Sequence, residues 1–183
     1  DDFGGDSFHA GMVQAVSDAG RRIIRYNDGF MEAGRHFLRG DEDSIGGFVD
    51  RETRHECGHP VVNFMADQNC LSLMDMVSYE RRHNEYNGEN NMDGRRYNIS
   101  FNCGVEGKTK REIVLRERKK MVKNALAMVF LSASVPMLIA GDELGMSHGG
   151  NNNPYCHDDE INYIDWGLLE KNSDLYEFTR RLI

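Results

Sequence analysis

The chain has no cysteine pair at metal-ligand or redox spacing. Its four cysteines, Cys57, Cys70, Cys103 and Cys156, lie far apart and form no CxxC pair. No metal site and no cofactor are expected, and a disulfide framework is not expected at this size. Reduced thiols in a cytoplasmic protein are the reading that fits. No apolar run approaches the ~18 residues of a membrane span, and no signal peptide opens the chain. A basic excess is missing too: 22 Lys and Arg stand against 30 Asp and Glu, a formal net charge of -8. That argues against a nucleic-acid partner, which would want a basic face. It also disfavours a polyanionic substrate and leaves neutral ligands open. The one basic cluster, 111–123, alternates with apolar residues at helical spacing and reads as a solvated helix face. Internal repeats and low-complexity tracts are absent.

The informative stretch is 135–155. The apolar run Val135-Pro136-Met137-Leu138-Ile139-Ala140 stops at Gly141-Asp142-Glu143, and Gly149-Gly150 and Asn151-Asn152-Asn153 follow. A fully apolar run of this length after a long helical pattern reads as a strand buried on both faces, as in parallel sheets. Carboxylates and amides just past such a strand sit where α/β folds put their chemistry.

Upstream, 1–20 is rich in Gly, Asp and Ser and reads as a loop with a short helix. A short strand is expected over 22–28, then a helix over 30–38 with Phe30, Ala33, Phe37 and Leu38 at helical spacing. A further short helix over 45–54 takes Ser44 as its N-cap. Pro60 opens a second buried strand, 61–66, ending in Asp67-Gln68-Asn69. The segment 73–79 reads as helix and 84–107 as a long polar loop, a length more often functional than idle. The longest helix is expected over 112–132, with Leu115, Met121, Val122, Leu126, Val129 and Phe130 on its apolar stripe. A last helix over 175–183 is capped at Ser173 or Asp174.

The order is strand, helix, three times over, which makes the fold class α/β with parallel strands and right-handed crossovers. Three units cannot close a (β/α)8 barrel, which takes eight strands and usually about 250 residues. The chain is either a small open sheet or part of a larger barrel.

Longer strings carry a resemblance. Val62-Asn63-Phe64, Asp75-Met76-Val77-Ser78-Tyr79, His83-Asn84-Glu85 and Asn87-Gly88-Glu89-Asn90-Asn91-Met92-Asp93-Gly94 stand in order. Asn102-Cys103-Gly104-Val105-Glu106-Gly107, the run from Pro136 to Glu143, Gly150-Asn151-Asn152-Asn153-Pro154-Tyr155-Cys156 and Asp165-Trp166 come after them. From about Tyr26 to its end the chain resembles the debranching branch of the α-amylase superfamily, glycoside hydrolase family 13. Isoamylases, bacterial glycogen debranching enzymes and type I pullulanases make up that branch. The resemblance implies a partial (β/α)8 TIM barrel, strands six to eight, with 1–183 as its carboxy-terminal portion. It implies branched α-glucan (glycogen, starch, limit dextrin) as the ligand and hydrolysis of α-1,6 branches. The nucleophilic Asp and the acid/base Glu would lie before Asp1, since Asp2-Phe3-Gly4-Gly5 resembles the family's segment just after that Glu.

The family ends its seventh strand with His-Asp. The matching positions are Gln68 and Asn69, neither of which ionises. A carboxylate there would stabilise the positive charge that develops at the anomeric carbon. Asp67, two residues before Asn69, would share its side in a strand and offers a rescue. No catalytic residue is therefore assigned, and the isolated chain is expected to be inactive. The alternative is a non-hydrolytic glucan-binding or regulatory homologue. Gln68, Asn69, Asp142, Glu143, Asn151 and Asn152 are the candidate substrate-binding residues. Each has a plainer reading: Gln68 and Asn69 as polar strand-end residues satisfied by neighbours or water, Asp142 and Glu143 as caps or ion-pair partners, Asn151 and Asn152 as turn formers. His83 reads as a hydrogen-bonded surface residue or a cleft residue, and Trp166 as core or a sugar-stacking ring. Exposed barrel edges predict self-association.

Overall fold

A computed structural model of the chain describes residues 24–53 and 61–183. The expected loop at 1–20, with Asp2-Phe3-Gly4-Gly5, the strand start at Arg22 and Ile23, Arg54, Cys57 and Pro60 lie outside the described residues.

Three short strands form one parallel sheet: β1 (Arg25–Tyr26), β2 (Val61–Asn63) and β3 (Val135–Pro136), in the order β1-β2-β3. Arg25 pairs with Val61, and Val62 pairs with Val135. Two backbone bonds extend the ladder toward the carboxyl ends, Asn27 N–H to Val62 O at 3.0 Å and Met137 N–H to Asn63 O at 2.9 Å. The strands are thus neighbours in chain order, linked by helical segments, as alternation requires.

Between β1 and β2 lie α1 (Asp28–Arg39) and α2 (Ser44–Thr53). Asn27 Oδ1 caps α1 by accepting from Phe30 N, and Gly40 at φ 81° ends it in the left-handed geometry that a Cβ would strain. The Ser44 hydroxyl is not a cap acceptor; it donates to Asp41 O at 2.7 Å. Between β2 and β3 lie α3 (Leu73–Met76) and α4 (Glu112–Phe130). After β3 come α5 (Leu168–Lys171) and α6 (Ser173–Leu182). Asn172, not Ser173 or Asp174, precedes α6, and its side chain donates to Leu144 O at 2.8 Å.

One core joins these elements. Phe30 and Leu38 of α1 meet Met65 and Ala66 past β2, Leu73 and Met76 of α3, and Val122, Ala125, Leu126 and Val129 of α4, with Leu175 of α6 closing it. Burying each large apolar side chain contributes roughly 1.5–3 kcal/mol.

Four further expectations are corrected. The run 135–140 is not a strand buried on both faces. Only Val135 and Pro136 are strand, and Val135 is 45% exposed. Pro136 has no N–H for the ladder, and among the described residues β3 ends the sheet, so one side has no strand partner there. The central run past β2 does have that burial, with Phe64, Met65 and Ala66 all buried. The stripe of α4 is also shifted: Val114, Arg118, Val122, Ala125, Leu126 and Val129 face inward, while Leu115 is exposed. Arg118 is therefore not part of a solvated basic face. Its guanidinium donates to Gly107 O at 2.7 Å, Asn102 O at 3.0 Å and Val105 O, tying the polar loop onto the helix. Finally, Trp166 is no core residue; it is 70% exposed.

Candidate functional site

The carboxyl ends of the three strands point one way, because the strands are parallel. They are joined just past the strands. Asn27 Nδ2 donates to Asn63 Oδ1 at 2.7 Å, and Asn63 Nδ2 donates to Ser132 Oγ at 3.1 Å.

Past β2 the chain leaves strand geometry and turns. Cys70 N donates to Asp67 O at 3.3 Å, and Asp67 N donates to Cys70 Sγ at 3.1 Å. Asp67 is buried, and its Oδ1 accepts from Asn69 N at 2.9 Å. Its Oδ2 lies 3.9 Å from Arg95 Nη2, which also reaches Asp28 Oδ1 at 3.4 Å. Gln68 and Asn69 are exposed. The expectation that Asp67 and Asn69 share a side is therefore corrected. Alternation belongs to strands, and 67–70 is a turn, so Asp67 folds inward while Gln68 and Asn69 reach solvent.

Arg35 holds this turn from below. It is fully buried on α1, and its Nε and Nη2 donate to Met65 O at 2.9 and 2.6 Å. It also reaches Asn98 O at 2.7 Å, Leu71 O at 3.1 Å and Cys70 Sγ at 3.2 Å. Burial pushes the Cys70 thiol up to about 11, so the group is an unreactive packing element.

The end of β3 is likewise taken up by backbone. Asp142 Oδ1 accepts from Leu73 N, the first residue of α3, at 2.8 Å, while its buried Oδ2 has no hydrogen-bond partner. Burial pushes this carboxyl up to about 7. Glu143 Oε2 accepts from Gly141 N at 2.9 Å and closes its own turn. Next to them, buried Asp75 accepts from Ser147 Oγ at 2.5 Å and His148 N at 2.7 Å. Desolvation raises the Asp75 carboxyl and lowers the His148 imidazole.

Asn151 and Asn152 are buried, and their amides bind other loops. Asn152 Oδ1 accepts from Asn84 Nδ2 at 2.8 Å, and its Nδ2 donates to Arg95 O at 2.8 Å and Asn98 Oδ1 at 2.7 Å. Asn151 Nδ2 donates to Asn87 Oδ1 at 2.6 Å. Asn87 Nδ2 in turn reaches Asp93 Oδ2 and Asn153 O at 2.7 and 2.9 Å. The loops 84–98 and 150–157 are thus one hydrogen-bonded body. His83 hangs from it, its N–H donating to Gly150 O at 2.7 Å and its ring lying 5.2 Å from Tyr79 and 3.3 Å from Glu106.

Of the six candidates, the structure brings Gln68 and Asn69 together on the surface and holds the other four in protein–protein bonds. Sequence reasoning missed Arg35, Asp75 and Arg95. A signal existed for two of them: each is a charge in an apolar setting, Arg35 at i+4 from Met31 and Asp75 inside Leu73-Met74-Asp75-Met76-Val77.

No family profile matches the chain. Relatives do. The chain is 38% identical over 164 residues to the glycogen operon protein GlgX homolog of Mycobacterium tuberculosis, covering 85% of this chain and 23% of that protein. It is 36% identical over 165 residues to the chloroplastic isoamylase 1 of Oryza sativa, covering 84% and 20%. The chain belongs to the debranching branch of the α-amylase superfamily. It spans about a quarter or less of the length of these debranching-branch relatives. Among solved structures, the pullulanase from Bacillus acidopullulyticus matches with a TM-score of 0.56 at 19% identity, covering 86% of this chain and 18% of that one. The fold is therefore that of a piece of a TIM-barrel enzyme family.

Proposed function

We propose that the chain is the carboxy-terminal portion of the catalytic barrel of an α-glucan debranching hydrolase, acting on α-1,6 branches of glycogen- or starch-type polysaccharide. In this reading β1, β2 and β3 are the sixth, seventh and eighth barrel strands, and residues 1–183 belong to one domain. The observation that carries it is the likeness of 164 residues to the GlgX homolog, laid on three parallel strands in chain order. Gln68 and Asn69 are the residues best placed to meet substrate, since they are exposed at the carboxyl end of the central strand. Amides there hydrogen-bond hydroxyls but supply no negative charge. Asp142, Glu143, Asn151 and Asn152 hold the neighbouring turns and loops in place through their hydrogen bonds. A cytoplasmic setting goes with this reading.

The isolated chain is inactive on this account, because no residue in it matches the nucleophile or the acid/base of the family. Reducing-end release from pullulan and glycogen by the purified 183-residue chain tests this, and clear turnover overturns it. Its outer strands leave an edge each, near which Ile24, Tyr26, Leu131 and Val135 are exposed, so the chain self-associates. A monomer in sedimentation velocity at micromolar concentration would contradict that.

One observation favours a second reading, a non-hydrolytic glucan-binding or regulatory homologue. Asp67, the nearest carboxylate to the exposed amides, is buried, accepting from Asn69 N and lying near Arg95. Restoring the family's His-Asp pair at positions 68 and 69 in the longer protein separates the two readings: a gain in hydrolysis favours the first, none the second.

A further inference from the structure

We propose that Arg95 is a positioning residue for the face that Gln68 and Asn69 present: it holds Asp67 inward and so keeps that face free of negative charge. This role rests on the reading that the face meets α-glucan, and it gives Arg95 no contact with sugar.

Arg95 is where the segments past all three strands meet. Past β1, the Asp28 carboxylate lies 3.4 Å from its Nη2. Past β2, the Asp67 carboxylate lies 3.9 Å from the same atom. Past β3, Asn152 Nδ2 donates to its backbone O at 2.8 Å. The main chain just before it is tied down as well. Arg82 Nη1 donates to Gly94 O at 3.1 Å, and Asn84 Nδ2 donates to Asp93 O at 3.0 Å. The guanidinium therefore reaches out from an anchored base.

The two arms of this bridge are unequal. The Asp67 side chain is 6% exposed and that of Asp28 is 58% exposed. An exposed pair is screened by water and contributes little, whereas a buried carboxylate that loses its cation is costly. Asp67 Oδ1 accepts from Asn69 N at 2.9 Å, and among the described residues the ion pair at Oδ2 is with Arg95. At 3.9 Å the contact is one of charge and not a hydrogen bond, so Arg95 supplies compensation. Without that cation the carboxylate is better solvated outside, and leaving the interior breaks its bond to Asn69 N. The acid would then stand beside Gln68 and Asn69, where a positive charge develops in glycoside cleavage. Arg95 thus sets the charge of the face through Asp67.

The test compares two disaccharides of nearly the same shape in the longer protein that contains this chain. Maltose is neutral, and 4-O-α-glucosyl-1-deoxynojirimycin carries a protonated ring amine in mildly acidic buffer. Calorimetry reads the ratio of their affinities, which a general loss of structure leaves unchanged. Hydrogen exchange by mass spectrometry reads the turn 67–70 directly. In Arg95→Gln the ratio is expected to shift toward the amine by roughly tenfold or more. Exchange across 67–70 is expected to rise roughly tenfold in the same variant. Arg95→Lys keeps a cation and stays near wild type in both, and D67N/R95Q shows no shift in the ratio. Slow exchange in α4 checks the fold; if R95Q fails that check, Arg95→Met, which keeps the apolar stem, takes its place. A ratio for R95Q equal to that of wild type overturns the role and leaves the glucan reading standing. A shift that persists in D67N/R95Q overturns it too, because the charge then comes from another group. If no form binds either disaccharide, the glucan reading falls and exchange decides: a rise in R95Q that R95K reverses upholds the clamp on Asp67, and unchanged exchange overturns it.

Discussion

Asn69 donates its backbone N–H to the carboxylate of Asp67 at 2.9 Å, and this bond turns the acid away from the surface that its neighbour occupies. The bond makes the turn, the turn ends strand alternation, and Gln68 and Asn69 are left as the polar groups facing solvent. A carboxylate in that place would meet a developing cation; an amide meets only hydroxyls.

The first prediction comes from that geometry. In the longer protein that contains this chain, Q68H/N69D raises reducing-end release from pullulan on the order of 100- to 1000-fold, the worth of one preorganised charged group. Asp67→Asn, which keeps an acceptor for Asn69 N, leaves the rate of that restored variant within a few-fold. A restored variant no faster than wild type supports the non-hydrolytic reading. A collapse in rate with Asp67→Asn would show that the buried acid is the working one.

The order of strands and helices was legible because apolar runs and helical spacing survive in isolated segments, as over 28–39 and 112–130. The strand lengths were not. Apolar runs do not report where a ladder stops, and Pro136 with an unpartnered edge stops it early. The candidate site was legible in place but not in role. Carboxylates and amides at strand ends were found, yet whether Asp142 binds sugar or caps α3 depends on Leu73, 69 residues away in sequence. The partners of Arg35 and Arg118 were not legible, because they are backbone carbonyls, which no residue pattern announces.

Arg35 tests that point. Its guanidinium bonds three backbone carbonyls and a sulfur from a fully buried position. Arg35→Ala leaves those carbonyls unpaired, and a loss of about 3–5 kcal/mol in urea unfolding is expected. Arg35→Lys recovers little, since an ammonium cannot reproduce the fork. A midpoint for R35K within error of wild type would refute the role of the fork.

Asp142 gives a pH dependence with a defined sign. Burial pushes its folded-state carboxyl up to about 7 from an ordinary 3.8. The folded chain holds a proton that the unfolded chain releases, so this contribution is fully present below pH ~4 and is lost as pH rises through about 7. Asp142→Asn keeps an acceptor for Leu73 N without the charge. Its advantage over wild type should therefore grow from pH 4 to pH 8, reaching about 4 kcal/mol. Chemical denaturation at several pH values reads the difference, and parallel curves for the two proteins would refute it.

Gly94 and Asn152 provide the last test. Gly94 sits at φ 69°, and a Cβ there would lie 2.2 Å from Asn152 Oδ1 and 2.8 Å from Asn84 Nδ2. Gly94→Ala therefore strains the backbone and pushes apart the two amides that join 84–98 to 150–157. Asn152→Ala removes the same link without strain, deleting bonds to Asn84, Arg95 and Asn98. Each lost buried bond costs about 1–3 kcal/mol because its partner stays desolvated. Both variants should speed amide hydrogen exchange across 84–98 and 150–157 together, while exchange in α4 stays slow, since that helix is held by the apolar core and Arg118. Acceleration confined to one of the two loops would mean that the amide network does not couple them.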